Sequence, residues 1–139
     1  MSENIKSTFQ FDNFKIIRSV FEKKEGDASQ KINLHFSPKA KYYKEIAKFE
    51  LFLGLTINDI NNLLHIEVDA IAQFTLGGKT EEKDISNYFY VNAPALLFPY
   101  IRAYIATLTT LSGYLKPITL PTLNLITLAK QLESNTEII

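Results

Sequence analysis

Asn92-Ala93-Pro94-Ala95-Leu96-Leu97-Phe98-Pro99-Tyr100-Ile101-Arg102 is the stretch on which the fold turns. Before it, apolar residues recur at every second position. From here on they recur every third or fourth, and Leu97, Ile101, Ile105 and Leu108 fall on one helical stripe with Tyr104 and Leu111 beside it. Pro94 and Pro99 suit the first turns of successive helical pieces, where a missing N–H costs no bond. Ser112-Gly113 supplies a stop. Between Ile85 and Leu115 the one charged residue is Arg102, while Tyr88, Phe89, Tyr90, Phe98, Tyr100, Tyr104 and Tyr114 share the window. A helix so nearly uncharged all round has more surface to cover than one sheet face offers. The rest is expected to meet another copy of the chain or a guest polypeptide. A membrane span over Ala93–Leu111 is disfavoured by Pro99 and by Arg102 at its centre, which would cost about 2.5–3.5 kcal/mol.

Working back toward the N-terminus, four runs read as strands. Phe14 to Lys23 is aromatic and β-branched, with Ile16, Ile17, Val20 and Phe21 on mixed faces. Ile32, Leu34 and Phe36 alternate with Lys31, Asn33 and His35. Ala47, Phe49, Leu51, Leu53 and Leu55 form one face of a longer strand; Ile66, Val68, Ala70, Ala72, Phe74 and Leu76 form a face of the fourth, opposed by His65, Glu67, Asp69, Gln73 and Thr75. Glu25-Gly26-Asp27, Ser37-Pro38 and Asn58 to Asn62 are expected to be turns, and Gly77 to Asp84 a polar loop. Short links without intervening helices imply an antiparallel sheet. Forward from the helix, Tyr114 to Pro121 carries two prolines and is expected to cross as an extended loop. A short last helix then begins at Thr122 as N-cap and shows Leu125, Leu128, Ala129 and Leu132 on one face, with a frayed tail from Ser134. The fold class expected is therefore α+β, one domain over residues 1–139: a four-stranded antiparallel sheet, a long helix, an extended crossover and a short C-terminal helix.

Composition narrows the functions. The formal net charge is zero, with 15 basic and 15 acidic residues, so no global field draws in nucleic acid or an anionic membrane. Beyond position 84 the basic residues are Arg102, Lys116 and Lys130 and the acidic ones Glu133 and Glu137, so the front of the chain is the solvated part. Cysteine is absent, which excludes disulfide and thiolate chemistry. Residues 1–20 alternate charged and aromatic side chains with no continuous apolar core, so no export signal is expected there and a cytoplasmic protein is. His35 and His65 lie on polar faces of separate strands without metal-ligand spacing. No G-x-S-x-G occurs, Gly77-Gly78-Lys79 lacks the spacing of a phosphate loop, and Glu67 and Asp69 read as wet sheet surface. No catalytic residue, metal or cofactor is expected, and the chain is not expected to be an enzyme. A hot-dog-fold thioesterase also lays a long helix on an antiparallel sheet. There the helix precedes most strands and bears a catalytic acid; here it comes last and bears none.

The Asn92–Arg102 stretch resembles the most distinctive motif of SecB, the protein-export chaperone: an alanine–proline pair, an aliphatic pair, Phe-Pro-Tyr and an arginine one residue on. Ile105-Ala106-Thr107-Leu108, a glycine near the helix end, an apolar-proline crossover and Leu123-Asn124-Leu125 follow in the family's order, and Ile66-Glu67-Val68 with Phe74 resembles its last strand. The resemblance implies a dimer of dimers with long helices between subunits, working as an ATP-independent holdase for unfolded polypeptides, preproteins for Sec-dependent export above all. An antitoxin of a toxin–antitoxin pair is an alternative client, and a SecB-fold scaffold without clients a further alternative. It also implies a client groove, which position beside helix and crossover places along Phe74, Leu76, Tyr100, Tyr104, Leu115, Ile118 and Leu120, and a contact with the translocation motor SecA at Glu67. The family is usually strongly acidic, and this chain is neutral; His65 stands where the family has an apolar neighbour of Glu67.

Overall fold

The computed structural model describes residues 8–77, 82–113, 118–121 and 125–139. Four antiparallel strands come first: β1 (Thr8–Lys23), β2 (Ile32–Tyr43), β3 (Lys48–Asp59) and β4 (Leu64–Gly77). A 30-residue helix, α1 (Glu82–Leu111), then α2 (Leu125–Ser134) and a three-residue strand, β5 (Thr136–Ile138), complete the chain. The sheet order is β1-β4-β3-β2-β5. The α+β architecture agrees with the alternation and period change in the sequence.

Strict alternation in β3 and β4 decides which face is covered. Phe49, Leu51, Leu53, Leu55 and Ile57 lie on the same face as Leu64, Ile66, Val68, Ala70, Ala72, Phe74 and Leu76, and all are buried. A one-residue slip would turn this whole set to water, so the register is strongly fixed. Ala93, Leu97, Ile101, Ile105 and Thr109, spaced by four, are the fully buried row of α1 above them. Leu128, Ala129 and Leu132 of α2 join the same core.

Four local expectations need correction. Ser37-Pro38 is not a turn: β2 runs through it to Tyr43, and the chain reverses over a 3₁₀ turn at Lys44–Ile46 with Ala47 left-handed at φ 51°. Proline is tolerated there because its nitrogen faces the outer edge of β2, away from β3. Pro94 and Pro99 do not open separate helical pieces, since both lie inside one helix that already includes Glu82, Lys83 and Asp84. The tail beyond Ser134 forms β5, parallel to β2. The mixed faces of the first strand have a cause: pairing with β4 shifts between Phe11 and Asn13 and again between Ile16 and Arg18. Each bulge resets the alternation, so Phe9, Phe11, Phe14, Ile16 and Phe21 all pack on the core while Arg18 faces the other way. The expected N-cap Thr122 lies outside the described residues.

Asp59 ends β3 fully buried. Its carboxylate accepts bonds from the backbone N–H groups of Ser29 (2.9 Å), Leu63 (2.7 Å) and Leu64 (2.9 Å), which pins the β3–β4 turn to the β1–β2 connection. Burial alone would raise its pKa. The backbone hydrogen bonds from Leu64, Ser29, Leu63 and Asn61 more than offset that and hold it below the ordinary value.

Candidate polypeptide-binding surface

The flank of α1 beside β1 is an aromatic wall. The bulges in β1 bring Phe11 and Phe14 to the helix side, where Tyr100 meets Phe11 edge-on at 5.4 Å and Phe14 at 4.8 Å. Phe9 and Phe11 stack on Phe74 at 4.7 and 5.2 Å, and Phe49 meets the same ring from β3 at 6.2 Å. Tyr104, one turn along the helix, donates to Ser19 Oγ at 2.8 Å. On the opposite flank Phe98 meets Phe36 of β2 at 6.2 Å.

Against this geometry the expected groove residues separate. Phe74, Leu76 and Leu120 are buried and form backing beneath the surface. Tyr100 stays 49% exposed, and Tyr104 and Ile118 are half-buried. Leu115 lies outside the described residues. Thr109 ties the crossover to the helix: its hydroxyl donates to Ile105 O at 2.9 Å and accepts from Ile118 N at 2.9 Å. The sequence reading missed Phe9 and Phe11, because it started the first strand at Phe14. It also placed Leu111 beside the buried stripe, whereas the side chain is 81% exposed; Val91 and Leu96 are exposed too. Their signal was present as apolar residues off the Leu97–Ile105 row.

Glu67 belongs to the other face of the sheet and already has partners. Arg18 reaches it with Nη1 at 3.1 Å and Nη2 at 3.4 Å, and His65 Nε2 lies 2.9 Å from its Oε2. His65 Nδ1 is 2.7 Å from Asn58 Oδ1, and Arg18 also reaches Asp69 at 3.5 Å. The hydrogen bonds from Arg18 and then His65 lower the Glu67 pKa to about 2. A partner that sought this carboxylate would compete with Arg18. Among the described residues no group of three or more His, Asp or Glu could hold a metal ion, and no helix is long and apolar enough to cross a membrane.

The family model "Preprotein translocase subunit SecB" matches residues 11–135. Among solved structures, the Mycobacterium tuberculosis SecB-like chaperone Rv1957, in complex with a ChAD peptide from the HigA1 antitoxin, is similar at a TM-score of 0.68. It shares 19% sequence identity, and the match covers 84% of this chain and 88% of that one. A Streptococcus agalactiae protein of unknown function is similar at a TM-score of 0.55 and 11% identity, over 84% of this chain and 99% of that one. Among curated proteins no sequence matches. The two structural likenesses establish the fold; the family model, which spans nearly all of the sheet and both helices, shows that the chain belongs to the SecB family.

Proposed function

We propose that this protein is an ATP-independent holdase that binds non-native polypeptides along the aromatic flank of α1. One observation carries the reading: Tyr100, half exposed on Phe11 and Phe14, sits on a helix whose described outward residues are uncharged apart from Arg102. Such a surface suits extended apolar segments, which gain affinity from side-chain pockets and from sheet-edge pairing. In this reading Tyr100, Tyr104 and Ile118 touch the guest, and Phe74, Leu76 and Leu120 hold the floor of the groove. Val91, Leu96 and Leu111 meet a second copy, giving a dimer of dimers in the cytoplasm whose several sites act together.

Preproteins for Sec-dependent export are the proposed clients, with Glu67 as the contact for SecA. A second reading has support of its own. The similar mycobacterial structure holds an antitoxin peptide, this chain carries no net charge, and Glu67 is engaged by Arg18. An antitoxin-type client needs no docking on the motor. The test is light scattering from a chemically unfolded client diluted into the protein without nucleotide. Suppression of aggregation at stoichiometric protein is expected, and undiminished scattering would overturn the holdase reading. Client recovered with the protein from cells then separates preproteins from an antitoxin, and an intact oligomer that binds neither client nor hydrophobic dye is a scaffold.

A further inference from the structure

The outer edge of β2 exists in two states along its length. Antiparallel pairing turns the backbone groups of alternate residues toward β3 and of the others away from it. Lys31 O, on the β3 side, accepts from Ile60 N at 3.1 Å. On the outward side Ala40 N donates to Asn135 O at 3.2 Å, Tyr42 O accepts from Ile139 N at 2.8 Å, and Lys44 N donates to Ile139 O at 3.3 Å. From Ala40 to Lys44, then, the edge is occupied by β5 and the residues flanking it. From Ile32 to Phe36 no strand runs alongside among the described residues, so the outward backbone groups of Leu34 and Phe36 pair with no described strand. Pro38 divides the two stretches: it has no N–H to offer, and its carbonyl accepts from Asn135 Nδ2 at 3.2 Å.

Both sides of this edge suit an extended chain. Toward the helices, Ile32, Leu34 and Phe36 are half-buried apolar side chains, with Phe36 against Phe98. Toward the outer face, the edge opens on a depression of about 820 Å³ floored by Ser37 and Gly54 and walled by His35, Phe52, Gln131 and Asn135. Gly54 keeps that floor low, since a Cβ there would stand 3.1 Å from Asp69 Oδ1.

Beyond its backbone bonds, the resident strand is anchored through the side chain of its first residue. Thr136 Oγ1 donates to Leu132 O at 2.6 Å, and its side chain also bonds with the Tyr90 hydroxyl. Glu137, Ile138 and Ile139 are exposed, the two isoleucines at 51% each. Only three residues pair, and they pair in parallel, the weaker arrangement per residue. A longer antiparallel strand would make more bonds along the edge and bury more side chains.

We propose that β5 is a self-strand competing with bound polypeptide for the outer edge of β2: an extended apolar segment adds along Leu34–Lys44, and β5 parts from β2 to admit it. The inference rests on the holdase reading and adds to it a second stretch of guest contact, on the sheet edge opposite the Tyr100 flank, together with the regulation of that edge. A closed self-strand lowers apparent affinity by the fraction of molecules in which the edge is free.

Two full-length variants test it, with dye-labelled, reduced and carboxymethylated α-lactalbumin as the unfolded probe and fluorescence anisotropy as the readout. Ile139→Pro removes the N–H that bonds Tyr42 O, and is expected to tighten binding by about three- to tenfold. Lys41→Cys with Glu137→Cys places a thiol pair at positions in register, in a chain with no other cysteine. Its disulfide form is expected to bind several-fold more weakly than wild type and to recover when reduced. If wild type binds but neither Ile139→Pro nor the oxidised pair shifts the Kd, the self-strand fails and the holdase reading stands. If wild type does not bind, the holdase reading fails first.

Discussion

The two faces of the sheet are built on opposite rules. On the helix-covered face, β3 and β4 present an apolar set from Phe49 to Ile57 and from Leu64 to Leu76, closed at the end of β3 by the buried carboxylate of Asp59. On the outer face the same strands present Glu50 bonded to Gln73 and Lys48 bonded to Thr75, and β1 adds Asp12 within reach of Lys48 and Arg18 bridging Glu67 and Asp69. Lys39 and Lys41 lie over the Phe52 ring at 5.4 and 5.9 Å. The covered face fixes register because slipping by one residue exposes all of it. Exposed cross-strand pairs each contribute little, so the outer face can change its chemistry without cost to the fold. Stability therefore resides on one face, while the other is free to carry contacts with partners.

The largest effect is expected where the covered face is thickest. Phe74 has no exposed surface and is enclosed by Phe9, Phe11 and Phe49. Phe74→Ala should cost about 3–5 kcal/mol in urea unfolding, because the rings around it cannot all collapse into the void. A loss below about 1 kcal/mol would mean that the aromatic cluster repacks freely, and the contrast between the faces would weaken.

Next comes the buried end of β3. Asp59→Ala leaves the N–H groups of Ser29, Leu63 and Leu64 without their acceptor and is expected to cost about 2–3 kcal/mol. The pH dependence has a definite sign. A carboxyl with a depressed folded-state pKa contributes its stability above the unfolded value, about 4, and loses it as pH falls through the lower folded value. Urea midpoints measured between pH 7 and pH 2 should fall more steeply for wild type than for Asp59→Asn. Parallel curves would show that the carboxylate charge is not what those amides hold.

These two faces were not equally legible in the sequence. The covered one could be read because Phe49 to Leu55 and Ile66 to Leu76 keep period two without a break, and Leu97, Ile101 and Ile105 keep period four. The edges resisted. Pro38 carries a turn signal, yet it lies in a strand, since a proline nitrogen facing outward from an edge forfeits no ladder bond. Nothing in Thr136-Glu137-Ile138 announces a strand; a three-residue parallel pairing depends on where α2 delivers the chain. The aromatic wall was half visible: Tyr100 and Tyr104 were named, but the bulges that turn Phe11 and Phe14 toward Tyr100 are backbone events with no residue signature here. Buried Phe74 and Leu120 cannot be told from groove residues by period alone, because floor and core share the same alternation.

Tyr100 should separate folding from binding at a smaller magnitude. Its ring contacts with Phe11 and Phe14 make Tyr100→Ser cost about 1 kcal/mol of stability. Affinity for an unfolded client should drop several-fold in the same variant, as measured by anisotropy. Lost stability with unchanged client affinity would reassign the aromatic wall to the core alone.

The smallest effect belongs to the outer face, and it concerns protonation more than stability. Arg18 and His65 bring the Glu67 pKa down to about 2, against about 4.3 for a free side chain. Whatever this pairing adds to folding is present above pH 4 and fades as pH falls toward 2, and salt screens it throughout. Because Arg18 and Glu67 are both largely solvated, Arg18→Ala should leave the urea midpoint at pH 7 almost unchanged. The side-chain carboxyl signal of Glu67 should nonetheless titrate near 2 in wild type and move upward toward 4 in that variant. A Glu67 signal that titrates at the same pH with and without Arg18 would show that the guanidinium does not hold it in solution. The carboxylate would then be open to a docking partner, and the outer face would be less self-satisfied than its geometry indicates.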